Sequence, residues 1–225
     1  MSDTPDPPPG LTVRVNRRAR RISLRLNAKG EAVLVLPHER LRAEGLRFAS
    51  QKRAWLEAQR ARQPERVSFE VGARIPVRGA EHRIEHEPEA RDPVRAGEGL
   101  IRAGGTQSAV PGLVLAWLKA EARRDLLEAV ARHAEALAVP VPSVTLRDPK
   151  TRWGSCSARK TLSLSWRLIL APPPVLDYVA AHEVAHLREL NHSARFWALV
   201  GHLYPNYEEP EAWLRRHGRN LHRYG

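Results

Sequence analysis

Three histidines and a glutamate lie close together in the chain: His182-Glu183-Val-Ala-His186, followed six residues later by His192. On a helix, residues four apart are separated by about 40° around the axis, so His182 and His186 stand on one face where two imidazoles can share a metal ion. Glu183 is offset by about 100°, which points its carboxylate beside the ion toward a water and leaves coordination to the imidazoles. A catalytic zinc takes three protein ligands and keeps one position open for that water, and His192 is the candidate third ligand. In an unbroken helix His192 would lie about 240° from His186 and could not reach the same ion, so the helix must stop first. Asn191 is a residue type that tolerates the left-handed conformation of helix ends, and Ser193 is a favoured N-cap for a following helix. An Asn191-His192-Ser193 corner would therefore swing His192 back. The chemistry implied is amide hydrolysis: the metal acidifies water and polarises a peptide carbonyl, while Glu183 takes the proton and delivers it to the leaving amine. One Zn2+ per chain is the expected cofactor, and three imidazoles also suit other divalent transition metals.

The elements that must position these residues can be read from the apolar pattern. Leu11–Val15 and Ile22–Leu26 alternate with period two, and the run 32–37 follows a Lys29-Gly30 turn; these predict antiparallel strands, with Arg17, Arg18, Arg20 and Arg21 in the first connection. One amphipathic helix is expected from about Leu41 to Arg62, then short strands from Val67 to Glu85 broken at Gly72, Pro76 and Gly79. The stretch from Glu87 to Thr106 is rich in Gly, Pro and charge, and marks a boundary or a surface hairpin. Beyond it, Pro111 opens a long helix that Pro140 and Pro142 end. Strands are expected next near Val144–Leu146 and Thr161–Trp166. Pro172–Pro174 introduces a helix through Tyr178 to Leu190, with further helices from Ser193 and from Glu208 to His217. The expected organisation is a disordered tail over 1–10, a β-rich portion with one helix over 11–106, and a catalytic portion over 107–225.

Composition bounds the partners. The single cysteine, Cys156, rules out an intrachain disulfide and fits a cytoplasmic location. The first ten residues show no basic or apolar targeting pattern, and no stretch approaches membrane-spanning length, so no membrane association is expected. The formal charge of +12 makes DNA or another polyanion a possible nonspecific partner through the Arg-rich surface, although five lysines among 37 basic residues equally suit a GC-rich genome.

The run from Arg147 to Trp213 closely resembles the YgjP-like metallopeptidases, a bacterial group close to the SprT-like zinc proteases. The matching segments are Arg152-Trp-Gly-Ser-Cys-Ser157, Leu162-Ser-Leu-Ser-Trp-Arg-Leu168, Asp177-Tyr178, His182-Glu-Val-Ala-His-Leu187, Asn191-His-Ser193, Phe196-Trp197 and Pro205-Asn-Tyr207. The amino-terminal strands and the helix after Leu41 are also similar to the family's first portion, so the resemblance covers most of the chain. It implies an α+β, zincin-like fold in which a mostly antiparallel sheet portion precedes a helical catalytic portion. It also makes the histidine of the Asn-His-Ser corner, His192, the third ligand. Metzincins share the ligand spacing but place glycine where this chain has Glu189, and no Met-turn signature is present.

In zincins an edge strand above the active-site helix pairs with extended substrate, and the segment carrying Leu162, Leu164 and Trp166 looks like that strand; an ordinary core strand is the other reading. Tyr207 and His202 are candidates to donate a hydrogen bond to an oxyanion, and no spacing argument selects between them. Asp177, Glu208 and Glu209 are candidates to orient the ligand imidazoles. Arg152 and Trp153 either line the cleft or pack the sheet, and Cys156 reads as a buried thiol rather than a zinc-directed thiolate. Val179, Val184, Leu187 and Leu190 are expected in the core, His133 and His217 on the surface. The function expected is a zinc endopeptidase acting on polypeptides. The alternative is a basic DNA-associated protein, docking through Arg17 to Arg25, with a latent or structural metal site or with activity on DNA-bound proteins.

Overall fold

A computed structural model of the chain describes residues 7–27, 30–61 and 65–225, which form two compact units, 1–65 and 66–225. The expectations for residues 1–6 and for the turn at Lys29 lie outside the described residues.

In the first unit, β1 (Leu11–Val15), β2 (Ser23–Leu26) and β3 (Ala32–Leu36) form a sheet in the order β1-β3-β2. The Ala-Val-Leu-Val-Leu run of β3 is apolar on both faces and takes the centre, with Ala32, Leu34 and Leu36 fully buried. β2 pairs with β3 in antiparallel sense, but β1 runs parallel to β3. The expectation of antiparallel strands throughout is thus corrected: the doubly apolar strand inserts between its two half-exposed predecessors. The expected single helix is two, α1 (Arg42–Gln51) and α2 (Arg53–Ala61), broken at Lys52, whose amide is shared between the Phe48 and Ala49 carbonyls.

The second unit begins at Arg66 rather than after Thr106, because the strands between those positions share a core with the long helix beyond them. β4 (Arg74–Val77), β5 (Ala80–His86), β6 (Val94–Gly97) and β7 (Leu100–Ala103) form a sheet in the order β4-β5-β7-β6, with Pro76 tolerated on an edge strand. Ile75, Ile84 and Ile101 enter one hydrophobic core with that helix, α3 (Val110–Ala136). It buries Val110, Val114, Leu118, Ala122 and Leu126, a stripe repeating every four residues, and ends where Ala138 adopts a left-handed conformation (φ 50°). β8 (Ser143–Arg147), β9 (Gly154–Cys156) and β10 (Thr161–Ser165) make a second sheet, and α4 (Pro173–Ala185), α5 (Ala194–Leu203) and α6 (Glu208–Leu221) complete the unit. α4 is apolar nearly all round and runs through the core, with Val179, Ala180, Val184 and Ala185 all buried. Leu190, expected in the core, is 63% exposed, because the helix ends before reaching it.

Candidate metal centre

α4 carries the first three residues of the site and stops five residues before the expected end. His186 caps it, and the amides of Leu187, Arg188 and Glu189 bond back to Val184 and Ala185 in a closing turn. Asn191 does not adopt the left-handed conformation expected of it. Its Oδ1 instead accepts the Ser193 amide at 3.0 Å, and Ser193 Oγ accepts the Phe196 amide at 3.3 Å as the N-cap of α5. Two side-chain caps in succession fix the corner that carries His192.

The result brings the three imidazoles together. His182 Nε2 and His192 Nε2 are 3.2 Å apart, and His182, His186 and His192 each offer a nitrogen within 4.8 Å of the others. Three nitrogens on a tetrahedral zinc, each at about 2.0–2.1 Å from it, are roughly 3.3 Å from one another, so the cluster fits such an ion after small side-chain adjustment. Phe196, fully buried, packs its ring against all three: 4.3 Å from His186, 4.7 Å from His192 and 4.9 Å from His182 between centroids. Burial, reinforced by repulsion from the other two histidines, pushes His182 down to about 4, which keeps it neutral with a lone pair to donate. His186 Nδ1 donates to the Glu189 carbonyl at 2.9 Å, which leaves Nε2 as the atom that could face an ion. That backbone carbonyl is an orienting partner the sequence did not reveal. Asp177 does not serve: it accepts from His133 and Arg132, both at 2.6 Å, and His133 is buried rather than on the surface. Burial alone would raise the Asp177 carboxyl, but the His133 hydrogen bond and the charges of His133 and Arg132 outweigh it and hold it below the usual value.

Glu183 is buried, and desolvation pushes its carboxyl up to about 8 against the opposing charge of Arg152. Its wall is the backbone of β9. A Cβ on Gly154 would lie 2.4 Å from Glu183 Oε1, so only glycine lets the strand and the carboxylate meet.

This strand also corrects the substrate-edge expectation. β10 is the middle strand of the order β8-β10-β9, paired on both sides, so it has no free edge. Leu162, Leu164 and Trp166 are accordingly buried in the core rather than lining a cleft. β9 is an outer strand. The Ser157 amide bonds to Thr161 and the Ser165 amide to Trp153, so residues 153, 155 and 157 bond inward to β10. The peptide groups of Gly154 and Cys156 therefore point to the open edge beside Glu183.

The carboxy-terminal helix holds that edge in place. Trp153 stacks on His222 at 4.9 Å, and a Cβ on Gly218 would come within 3.0 Å of its ring. Arg167, only 3% exposed, donates to both Asp148 oxygens (2.6 and 3.1 Å) and to the Leu221 and Tyr224 carbonyls. Tyr207 belongs to the aromatic array around His182: it stacks on Trp197 at 5.3 Å and on Tyr178 at 6.5 Å, and Trp197 lies 5.9 Å from His182. His202 is exposed outside that array, as are Glu208 and Glu209. Cys156 is half-buried; burial and the Glu183 charge raise its pKa, keeping it a thiol, and it is not part of the metal cluster.

No helix among the described residues is long and apolar enough to cross a membrane. None of the curated proteins compared with the chain matches it. Among solved structures, the crystal structure of the metallopeptidase zymogen of Pyrococcus abyssi abylysin is similar at 21% identity over 40% of this chain and 93% of that one, with a TM-score of 0.37. The family profile described as the YgjP-like metallopeptidase domain matches residues 20–217, which span both compact units and the three-histidine cluster. The chain belongs to the YgjP-like metallopeptidase family.

Proposed function

We propose that the protein is a zinc-dependent, zincin-type endopeptidase in which His182, His186 and His192 hold the ion and Glu183 is the general base. The observation that carries this reading is the meeting of the three-imidazole cluster with a buried carboxylate and an open strand edge in one place. Bound zinc would supply Lewis acidity, polarising the scissile carbonyl and lowering the pKa of a water. Glu183 takes the proton from that water and passes it to the leaving amine, roles that require it to sit beside the ligands without being one. The outward peptide groups of Gly154 and Cys156 pair with the main chain of an extended polypeptide, which needs no terminus and so favours internal bonds. Tyr207 donates to the oxyanion, a role supported by its packing on Trp197 and Tyr178, both of which adjoin His182.

Elemental analysis and casein hydrolysis on the wild type, Glu183→Gln and His192→Ala test this together. The expected result is one zinc per chain with hydrolysis in the wild type, zinc without hydrolysis in Glu183→Gln, and weakened zinc in His192→Ala. Zinc retained in full by His192→Ala would overturn the ligand assignment, and zinc without hydrolysis in the wild type would overturn the peptidase chemistry.

A further inference from the structure

On the far side of β9 from Glu183 lies a cavity of about 370 Å³, and its lining is polar and basic. The strand register explains its chemistry. Ser163 of β10 is opposite Ser155 of β9, and Ser165 is opposite Arg147 of β8, so Ser155, Ser163 and Arg147 share one face of the sheet. The other face carries Gly154, Leu162 and Leu164 and is turned to the core and to Glu183. Arg147 and Arg152 both line the cavity, both are exposed, and neither makes an ion pair among the described residues. The one acid in the lining, Asp148, is already committed: Arg167 takes both its oxygens and Lys150 stands 3.3 Å away. The cavity is therefore left with two free guanidinium groups and two hydroxyls. Gly154, which meets Glu183, also lines the cavity, so the cavity adjoins the strand residue beside the base.

A chain that adds to the open edge of β9 must alternate its side chains between these two faces. The side chain that stands beside Ser155, on the face away from Glu183, would open onto the cavity, into which Arg152 and, from β8 across the sheet, Arg147 reach. A guanidinium pair with flanking hydroxyls matches a carboxylate in charge and in hydrogen-bonding geometry. Resting on the peptidase reading above, we propose that this cavity is a substrate subsite for an acidic side chain, so that the enzyme selects polypeptides with Asp or Glu at the one position of the bound strand that faces it.

The test uses fluorescein-labelled ten-residue peptides of alanine and threonine that carry one glutamate, or glutamine in its place, moved one position at a time. Cleavage by the zinc-loaded wild type is mapped by mass spectrometry, and binding to zinc-loaded Glu183→Gln is followed by anisotropy. The glutamate peptides should be cleaved and bound at least about tenfold better than their glutamine twins. The preference should be confined to one position relative to the cut bond, and it should vanish in Arg147→Ala/Arg152→Ala and in Arg147→Glu/Arg152→Glu. A preference equal at all positions would reduce it to general attraction by a basic protein, and one that survives loss of both arginines would place it elsewhere; either overturns the subsite. If the wild type cleaves no peptide while arginine-dependent binding of the glutamate peptides persists, the peptidase reading fails and the subsite stands.

Discussion

His182, Glu183, His186 and His192 fall within eleven consecutive residues, and their meeting needs only a helix end and a capped corner. The strand they face, Gly154–Cys156, is placed by contacts that reach far along the chain: Arg167 holds carbonyls 54 and 57 residues away, and Trp153 stacks on His222. One half of the site is thus encoded locally and the other by tertiary structure. A local cluster can bind an ion with the rest of the site disturbed, whereas the sheet edge is as stable as the carboxy-terminal segment that buttresses it. Metal affinity and turnover should therefore respond to different residues.

The sharpest separation is Glu183→Gln, which removes the base and leaves the imidazoles. Its kcat should fall by about 10²–10⁴ with full zinc content, measured on a peptide substrate. On the other half, Arg167→Ala leaves Asp148 and two carbonyls without their buried partner. It should cost about 1–3 kcal/mol in denaturant unfolding, mainly for the Leu221 and Tyr224 carbonyls left without a donor, since Asp148 is 39% exposed and keeps Lys150 at 3.3 Å. Gly154→Ala lies where the halves touch. A methyl group 2.4 Å from Glu183 Oε1 must displace the carboxylate, and a misplacement on the order of 1 Å lowers kcat by about 10²-fold, with zinc again retained.

The smallest effect is expected at Asp177→Asn, which leaves buried His133 poorly partnered and costs about 1–2 kcal/mol. Its sign with pH is set by the depressed folded-state pKa. The stabilisation is fully present above the ordinary value of 3.8 and is lost as the pH falls through the lower folded value. The stability gap between wild type and variant, measured by urea unfolding, should therefore close in strong acid.

The same division decides how much could be read from the sequence. Residue spacing on a helix is fixed by helix geometry, so the histidine face and the need for a stop before His192 came from types and intervals alone. Even there Asn191 acts through a side-chain hydrogen bond rather than as a left-handed residue, while Ser193 caps the following helix as expected. Strand order has no such local signature. The alternating Leu162 and Leu164 read equally as an edge or a core strand, and it is the insertion of β10 between β8 and β9 that buries them. Gly154 and Gly218 are silent for the same reason, since the side chains that press on them, Glu183 and Trp153, lie 29 and 65 residues away in the chain. The division between units was displaced to Arg66 because polar strands with few apolar residues, Ile75, Ile84 and Ile101 among them, nonetheless complete the α3 core.

The most direct test of the two halves acting as one site is a double-mutant cycle on kcat with Gly154→Ala, Glu183→Gln and the pair, zinc content being measured on each. If β9 contributes to turnover by positioning Glu183, Gly154→Ala adds no further loss in the Glu183→Gln background and all four proteins hold the same zinc. Losses that multiply in the double variant would contradict this, and would make the strand and the base independent parts of the site.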